Sequence, residues 1–265
     1  MIQHTVGRHT IHQGDCLTVM EEMDPGSVDV ICTSPPYNLG KGYSDYNDDI
    51  SWDSYYNSLC HRVEAMHRVL ANDGSFFLNY GYAPREPWKL LSVLDLVRDS
   101  EFEIQNMIVW VKSIAMGDET KGHYQPINSA RFLNHNWEFV IHCTRHGETP
   151  IDRLALGVPY MDKSNLDRWD TLDDVHCAGD IWFIPYTTIQ STADDRKSHP
   201  ATFPLELPTR CIKLHGITTD LTVFDPYMGI GTTLAACEQL GVRGIGAEYD
   251  GAYVASAIDI IQGVE

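Results

Sequence analysis

Positive charge is scarce in this chain. Lysine and arginine together number 19 against 37 aspartates and glutamates, a formal net charge of −18. That balance argues against holding nucleic acid or an anionic membrane by bulk attraction; a polyanion must be met by a small local patch. Long apolar runs are missing too. No stretch approaches the roughly 18 residues of a membrane span, and the opening MIQHTVGRHTIHQGD carries histidines and an arginine where a signal peptide has its apolar core. A soluble, cytoplasmic protein without a membrane partner is expected. The cysteines Cys16, Cys32, Cys60, Cys143, Cys177, Cys211 and Cys237 form no C-x-x-C pair, and several lie in apolar runs. Buried free thiols in a reducing compartment follow. The twelve histidines include no H-E-x-x-H; His4, His9 and His12 read as structural, and no metal is expected.

The acidic excess is mostly aspartate, 24 against 13 glutamates, while lysines number 7 against 12 arginines. A heavily acidic surface keeps a protein soluble in concentrated salt, so the composition points to a halophile.

Strand and helix signals alternate along most of the chain. Strands are predicted at 9–13, 27–33, 74–80, 102–111, 136–143, 221–225 and 242–248. Helices are predicted at 17–23, 51–70, 87–98, 208–215, 232–240 and 252–261, with Ser51 as a cap and Asp53 in the first turn behind it. The alternation indicates an α/β fold with a doubly wound, mostly parallel sheet. Residues 147–198 change character. They are rich in Asp, Pro and Thr, hold Tyr160, Trp169, Trp182, Phe183 and Tyr186, and show no clean period. They read as an insertion between residues 1–146 and 199–265, because a linker would not carry so many large apolar side chains.

Two stretches carry chemistry. TSPPYNLG, residues 33–40, follows the apolar strand 27–33. Two prolines end the strand and stiffen the corner, with a hydroxyl before them and an aromatic ring after. TVFDPYMGIGTTLAACEQLG, residues 222–241, reads strand, glycine turn, helix. Gly229 and Gly231 let backbone approach a ligand, and the helix from Thr232 offers free N–H groups. No Lys-Ser/Thr follows, so it is not a P-loop, and G-x-G-x-x-G is absent. Asp225 at the strand end would repel a pyrophosphate and suits an ammonium group. Glu248, ending the next strand, is placed to accept bonds from ribose hydroxyls. A nucleoside carrying an amino acid and a positive charge satisfies both acids, which is S-adenosyl-L-methionine.

Together the stretches resemble the β group of DNA amino-methyltransferases, which methylate N4 of cytosine or N6 of adenine. The catalytic motif (D/N/S)-P-P-(Y/F/W) falls on Ser34, Pro35, Pro36 and Tyr37. The cofactor motif falls on Asp225, Pro226, Tyr227, Gly229, Gly231, Thr232 and Thr233. The resemblance covers nearly the whole chain and implies a seven-stranded sheet. It implies cofactor contacts from Asp15 at the adenine, Glu248 at the ribose, and His199 and Phe203 in HPATFPLEL near the methionine end. Within the family, Ser-Pro-Pro goes mainly with cytosine-N4 enzymes. Residues 126–134 and 151–169 resemble archaeal cytosine-N4 enzymes acting on CTAG. Adenine-N6 transfer, action on RNA or a small molecule, and a catalytically silent DNA-binding subunit stay as alternatives.

An exocyclic amine is a poor nucleophile because its lone pair is delocalised into the ring. Acceptors for its hydrogens, here the Ser34 hydroxyl and Pro35 carbonyl, free that lone pair. The base must leave the duplex, and Tyr37 offers a face to stack on. Cytosine-C5 chemistry needs a cysteine nucleophile, typically after proline, and no Pro-Cys occurs. Asn38 is a candidate for shaping the pocket, and residues 40–49 read either as an ordinary surface loop or as a cover for the site. For double-stranded DNA, the candidate contacts are Lys121, Arg131, Arg145, Arg153, Lys163, Arg168, Arg196 and Lys197, since the family places target recognition in the central segment. Whether a cognate restriction endonuclease accompanies the chain stays open.

Overall fold

The computed structural model describes residues 1–40, 47–81, 83–122, 129–164, 166, 173–185 and 202–264. Eleven strands are present among them: β1 (Ile2–Val6), β2 (His9–Gln13), β3 (Val28–Thr33), β4 (Leu70–Tyr80), β5 (Glu103–Val111), β6 (Ser113–Met116), β7 (Glu119–Gly122), β8 (Trp137–Thr144), β9 (Ile181–Phe183), β10 (Thr222–Asp225) and β11 (Arg243–Glu248). The helices are α1 (Cys16–Glu22), α2 (Trp52–Val69), α3 (Trp88–Asp99), α4 (Glu206–His215), α5 (Thr232–Leu240) and α6 (Gly251–Gln262).

Nine strands form one sheet in the order β1-β2-β11-β10-β3-β4-β8-β5-β9, and β6 and β7 form a separate hairpin. From β2 to β4 every neighbouring pair is parallel. β8 runs antiparallel to both β4 and β5. Seven strands were expected from the resemblance; the two extra lie at the edges. β1 pairs antiparallel with β2, and β9 pairs parallel with β5. Both are short, and β1 has only Val6 buried, so neither carries the long apolar run that announces an interior strand.

Helices cover both faces. On one, α2 lays down Tyr55, Leu59, Val63, Met66 and Val69, a stripe at helical spacing, against Ile31, Phe76 and Leu78. Burying each such side chain is worth about 1.5–3 kcal/mol, which makes this the anchor of that layer. The α2 start is as the sequence predicts: the Ser51 hydroxyl accepts from the Ser54 N–H at 3.2 Å. On the other face, α4 and α5 bring Cys211, Ile212, Ala236 and Cys237 against Val30, Cys32, Phe77 and Val223. All seven cysteines are unpaired; Cys177 is exposed and Cys60 half-buried, the other five buried.

Described residues of the segment 147–198 pack into this body. Trp182 on β9 is 2% exposed and shares a cluster with Trp110 and Val140. The Trp110 Nε1–H donates to the Ile184 carbonyl at 2.9 Å. No helix among the described residues is long and apolar enough to cross a membrane.

Candidate active site

The corner Ser34–Tyr37 leaves the C-terminal end of β3, and the glycine loop leaves the C-terminal end of its neighbour β10. Adjacent strand ends of a parallel sheet are where open α/β folds bind ligands. Thr33, the last residue of β3, donates its hydroxyl to Asp225 Oδ1 at 2.6 Å. Thr233, in the first turn of α5, donates to Asp225 Oδ2 at 2.6 Å, and the Tyr227 N–H adds a 3.0 Å bond to Oδ1. The carboxylate of Asp225 is 1% exposed, and burial raises its pKa from an ordinary 3.8 to about 6 despite these donors.

That arrangement gives Asp225 a structural task beside the expected one at the cofactor. Oδ1 accepts two of these bonds and Oδ2 one, and the side chain lies below the surface, so Asp225 braces the corner against the glycine loop while Oδ2 keeps one lone pair. Glu248 differs. It is half-buried at the end of β11, accepting from the Gly229 N–H at 2.9 Å and the Asp250 N–H at 2.8 Å. Burial pushes its pKa up, and each oxygen keeps a lone pair for a further donor.

The loop itself needs glycine. Gly229 and Gly231 have φ of 54° and 86°, and a Cβ on Gly231 would lie 2.8 Å from the Ala257 Cβ on α6. Asp15 caps α1, accepting from the Leu17 N–H at 2.8 Å, and its other oxygen pairs with Arg62 at 2.8 Å. Arg62, on α2, was not picked out from the sequence. Phe203 is partly buried against Val30, Cys32 and their neighbours. His199 lies outside the described residues.

The corner is held from several sides. Pro35 is buried and Ser34 half-buried. The Tyr55 hydroxyl donates to the Pro36 carbonyl at 2.7 Å. Asn38 adopts a left-handed φ of 54°, which asparagine tolerates better than other side chains. Its side chain bonds both the carbonyl and the N–H of Ile50, at 2.8 and 3.0 Å, while Asp48 accepts from its N–H at 2.9 Å. Asn38 thus shapes the turn beyond Tyr37. The loop 40–49 is described only at its ends. Tyr37 packs on Tyr80 with ring centroids 4.4 Å apart. Its hydroxyl meets Ser34 Oγ at 3.1 Å, the Asn79 carbonyl at 3.3 Å and Glu138 Oε2 at 3.2 Å.

Glu138, Asn79 and Lys112 are site residues the sequence reading missed. The Asn79 amide donates to Glu138 Oε2 at 2.9 Å, and Lys112 pairs with Oε1. One signal was available: Glu138 is a lone charge inside the apolar stretch Trp137–Cys143.

The proposed DNA contacts separate. Lys121 and Arg131 are exposed on the connection that leaves β5 and enters β8 at the corner's end of the sheet. Arg145 is at the opposite end. Its Nε donates to the Leu70 carbonyl at 3.1 Å and its guanidinium reaches the His67 carbonyl, closing the C-terminus of α2. It is a capping residue, partly buried, and lies away from the corner that the expected contacts would serve. Arg153 is exposed beside Asp152, whose N–H bonds the Leu214 carbonyl near the end of α4. Lys163 pairs with Asp174 on the surface. Arg168, Arg196 and Lys197 lie outside the described residues.

A hydroxyl-bearing corner joined through a buried acid to a glycine loop, on a mostly parallel sheet covered on both faces, agrees with the methyltransferase class that the sequence resembles. The sequence profile of the N6/N4 DNA methylases matches residues 28–259, and the chain belongs to that DNA methylase family. Type II methyltransferase M.ScaI of Streptomyces caespitosus is 26% identical over 257 residues, covering 94% of this chain and 79% of its own. In structure, the chain is similar to PvuII DNA methyltransferase, described as cytosine-N4-specific, with a TM-score of 0.72 at 18% identity over 97% of this chain and 87% of that one. It is also similar to a DNA modification methylase of Thermus thermophilus, TTHA0409, solved with S-adenosyl-L-methionine, with a TM-score of 0.64 at 21% identity over 96% and 93%.

Proposed function

We propose that the chain methylates the exocyclic N4 amine of cytosine in duplex DNA, at a short site and on a flipped-out base, as a type II modification enzyme. The observation that carries this reading is the half-buried Ser34 hydroxyl, fixed beside two prolines and joined to the glycine loop through Thr33, Asp225 and Thr233. S-adenosyl-L-methionine, when bound, supplies an electrophilic methyl group. The residues present fit it. Glu248 keeps acceptor capacity at a strand end, as ribose hydroxyls need. Gly229 and Gly231, both at positive φ, carry no side chain to keep a ligand from the backbone of the loop.

The chain's own part is positioning. The Ser34 oxygen and the Pro35 carbonyl accept the two amine hydrogens, drawing the nitrogen toward a tetrahedral shape. Tyr37 stacks on the base, its ring backed by Tyr80. Lys121 and Arg131 meet phosphates, a small patch on an otherwise acidic protein. Cytosine is favoured by the family's usual pairing of Ser-Pro-Pro with that base and by the fold shared with a cytosine-N4-specific enzyme. The target is short, and CTAG is the candidate the central segment suggests. Residues 147–198 act as the recognition insertion between the catalytic and cofactor parts.

The test is to incubate unmethylated genomic DNA with the protein and S-adenosyl-L-methionine, digest to nucleosides and identify products by mass spectrometry. N4-methylcytosine is expected. N6-methyladenine alone overturns the base assignment and leaves the chemistry. No methylated nucleoside at all favours a silent DNA-binding subunit.

A further inference from the structure

Tyr37 has one hydroxyl proton and three oxygens around it. Two of the three accept only: the Asn79 carbonyl at 3.3 Å and, when ionised, the Glu138 carboxylate at 3.2 Å. The third, Ser34 Oγ at 3.1 Å, can donate or accept. A bond to a charged acceptor is the stronger one, so the Tyr37 proton points away from Ser34. The only bond left between the two hydroxyls is Ser34 donating to Tyr37. We propose that Glu138 is a positioning residue that sets this polarity, turning the Ser34 proton inward so that its lone pairs face the amine hydrogens. The proposal rests on the reading of Ser34 as amine acceptor and deepens it.

The surroundings of Glu138 are built for the task. Its residue is 8% exposed, and Lys112 and the Asn79 amide hold its two oxygens. Gly81, just past β4, makes room: a Cβ there would sit 2.8 Å from Glu138 Cγ. Burial first, and then Glu138, raises the pKa of Tyr37 well above its usual value, so the phenol keeps its proton. Were the polarity reversed, one Ser34 lone pair would be taken by the Tyr37 proton and the Ser34 O–H would be free to turn toward the amine.

Glu138→Gln keeps the shape and reverses the chemistry. Lys112 and the Asn79 amide both donate to this side chain and one amide oxygen remains; with that oxygen on the Lys112 ammonium, the Asn79 amide keeps the Phe139 carbonyl alone and the NH2 group donates into the Tyr37 oxygen where the Ser34 proton belongs. Single-turnover methyl transfer from radiolabelled S-adenosyl-L-methionine to unmethylated genomic DNA should fall on the order of tenfold to a hundredfold. Cofactor and DNA affinities should stay within about threefold, a kcat loss without a KM loss. Tyr37→Phe, which keeps the ring against Tyr80, should remove the coupling: in that background Glu138→Gln changes the rate less than about threefold. An equal loss in both backgrounds, or wild-type rates in the single variants, overturns the proposal. Neutron diffraction on the deuterated full chain tests it without activity. A deuteron on Ser34 directed at Tyr37 is expected; a Tyr37 deuteron directed at Ser34 overturns it. A wild-type protein that methylates no DNA defeats the functional reading alone, and the neutron map still decides the polarity.

Discussion

From β2 to β4 the strands run parallel, and their C-terminal ends deliver Ser34, Asp225 and Glu248 to one edge. Beyond β4 the single reversed strand is β8, antiparallel to both β4 and β5, and what reaches that edge is the beginning of β8 with Glu138, and the end of β5 followed by Lys112. The inner half contributes the groups proposed to touch base and cofactor, with Asp225 as the brace between them. The outer half contributes groups that hold those in place, and the exposed cations beyond them. The corner sits on the seam, since Tyr37 follows β3 and bonds to β8. The lesson is that a reactive group and its support come from different layers of the sequence, here 101 positions apart.

The sharpest way to break this division is Ser34→Ala. Methyl transfer should fall about 100- to 1,000-fold in single-turnover assays, as for loss of one preorganised hydrogen-bonding group. Calorimetric affinity for S-adenosyl-L-methionine should hardly move; wild-type turnover would make the corner purely structural.

Next comes the brace. The folded-state pKa of Asp225 is raised to about 6 from 3.8, chiefly by burial. Protonation therefore favours the folded chain. The contribution is fully present below about pH 4 and is lost as pH rises through 6, roughly 3 kcal/mol across that window. Asp225→Asn cannot titrate. The stability of wild type relative to this variant should increase on going from pH 6.5 to 4.5 in urea melts. A difference that stays flat over that range contradicts the buried ionised brace.

A smaller effect is expected at Glu248. Glu248→Gln should weaken cofactor binding by about tenfold, the value of one charge-assisted bond, with the fold retained. Unchanged affinity removes Glu248 from the cofactor site. The two ends of the sheet can be compared directly as well. Replacing both Lys121 and Arg131 by Ala should lower the salt slope of DNA binding by about 2. Arg145→Ala should leave that slope alone and cost about 1–2 kcal/mol of stability through the lost cap. The opposite pattern would reverse the assignment of the ends. The mildest expectation concerns salt: thermal stability should rise from dilute buffer to about 1 M salt as repulsion within a −18 protein is screened. A steady fall would contradict the halophile reading.

The inner half was legible because its signals are local. β3 announces itself by an apolar run and stops at Pro35-Pro36, and α5 starts and ends where Gly231 and Gly241 dictate. The outer half was legible only in part: β5 and β8 fall within a residue of the expected 102–111 and 136–143, but other features did not show. β9 is three residues long with two of them exposed, and its membership in the sheet depends on β5, about 70 positions earlier. β4 starts at Leu70, not Gly74, because it follows α2 directly and pairs with Val28 there. Arg145 and Lys121 look alike as cations in a list of residues. Only the antiparallel course of β8 sends one to a helix end and leaves the other near the corner. Asp225 was found as an important acid, yet its partners Thr33 and Thr233 come from two different elements, which a linear reading cannot join.

The connection from β5 to β8 is closed at its neck. The Lys112 N–H bonds the Asn136 carbonyl at 2.7 Å, and the Ser113 N–H reaches the same oxygen at 3.4 Å. Loop-closure entropy grows only with the logarithm of length, about 0.6 kcal/mol for each doubling. Residues 113–135 can therefore be lengthened, shortened or exchanged at small cost while the neck stays shut. Lys112 and Glu138 stand on the fixed side of it. A chain so arranged can acquire a new DNA-reading surface as a cassette and keep the chemistry of its corner untouched.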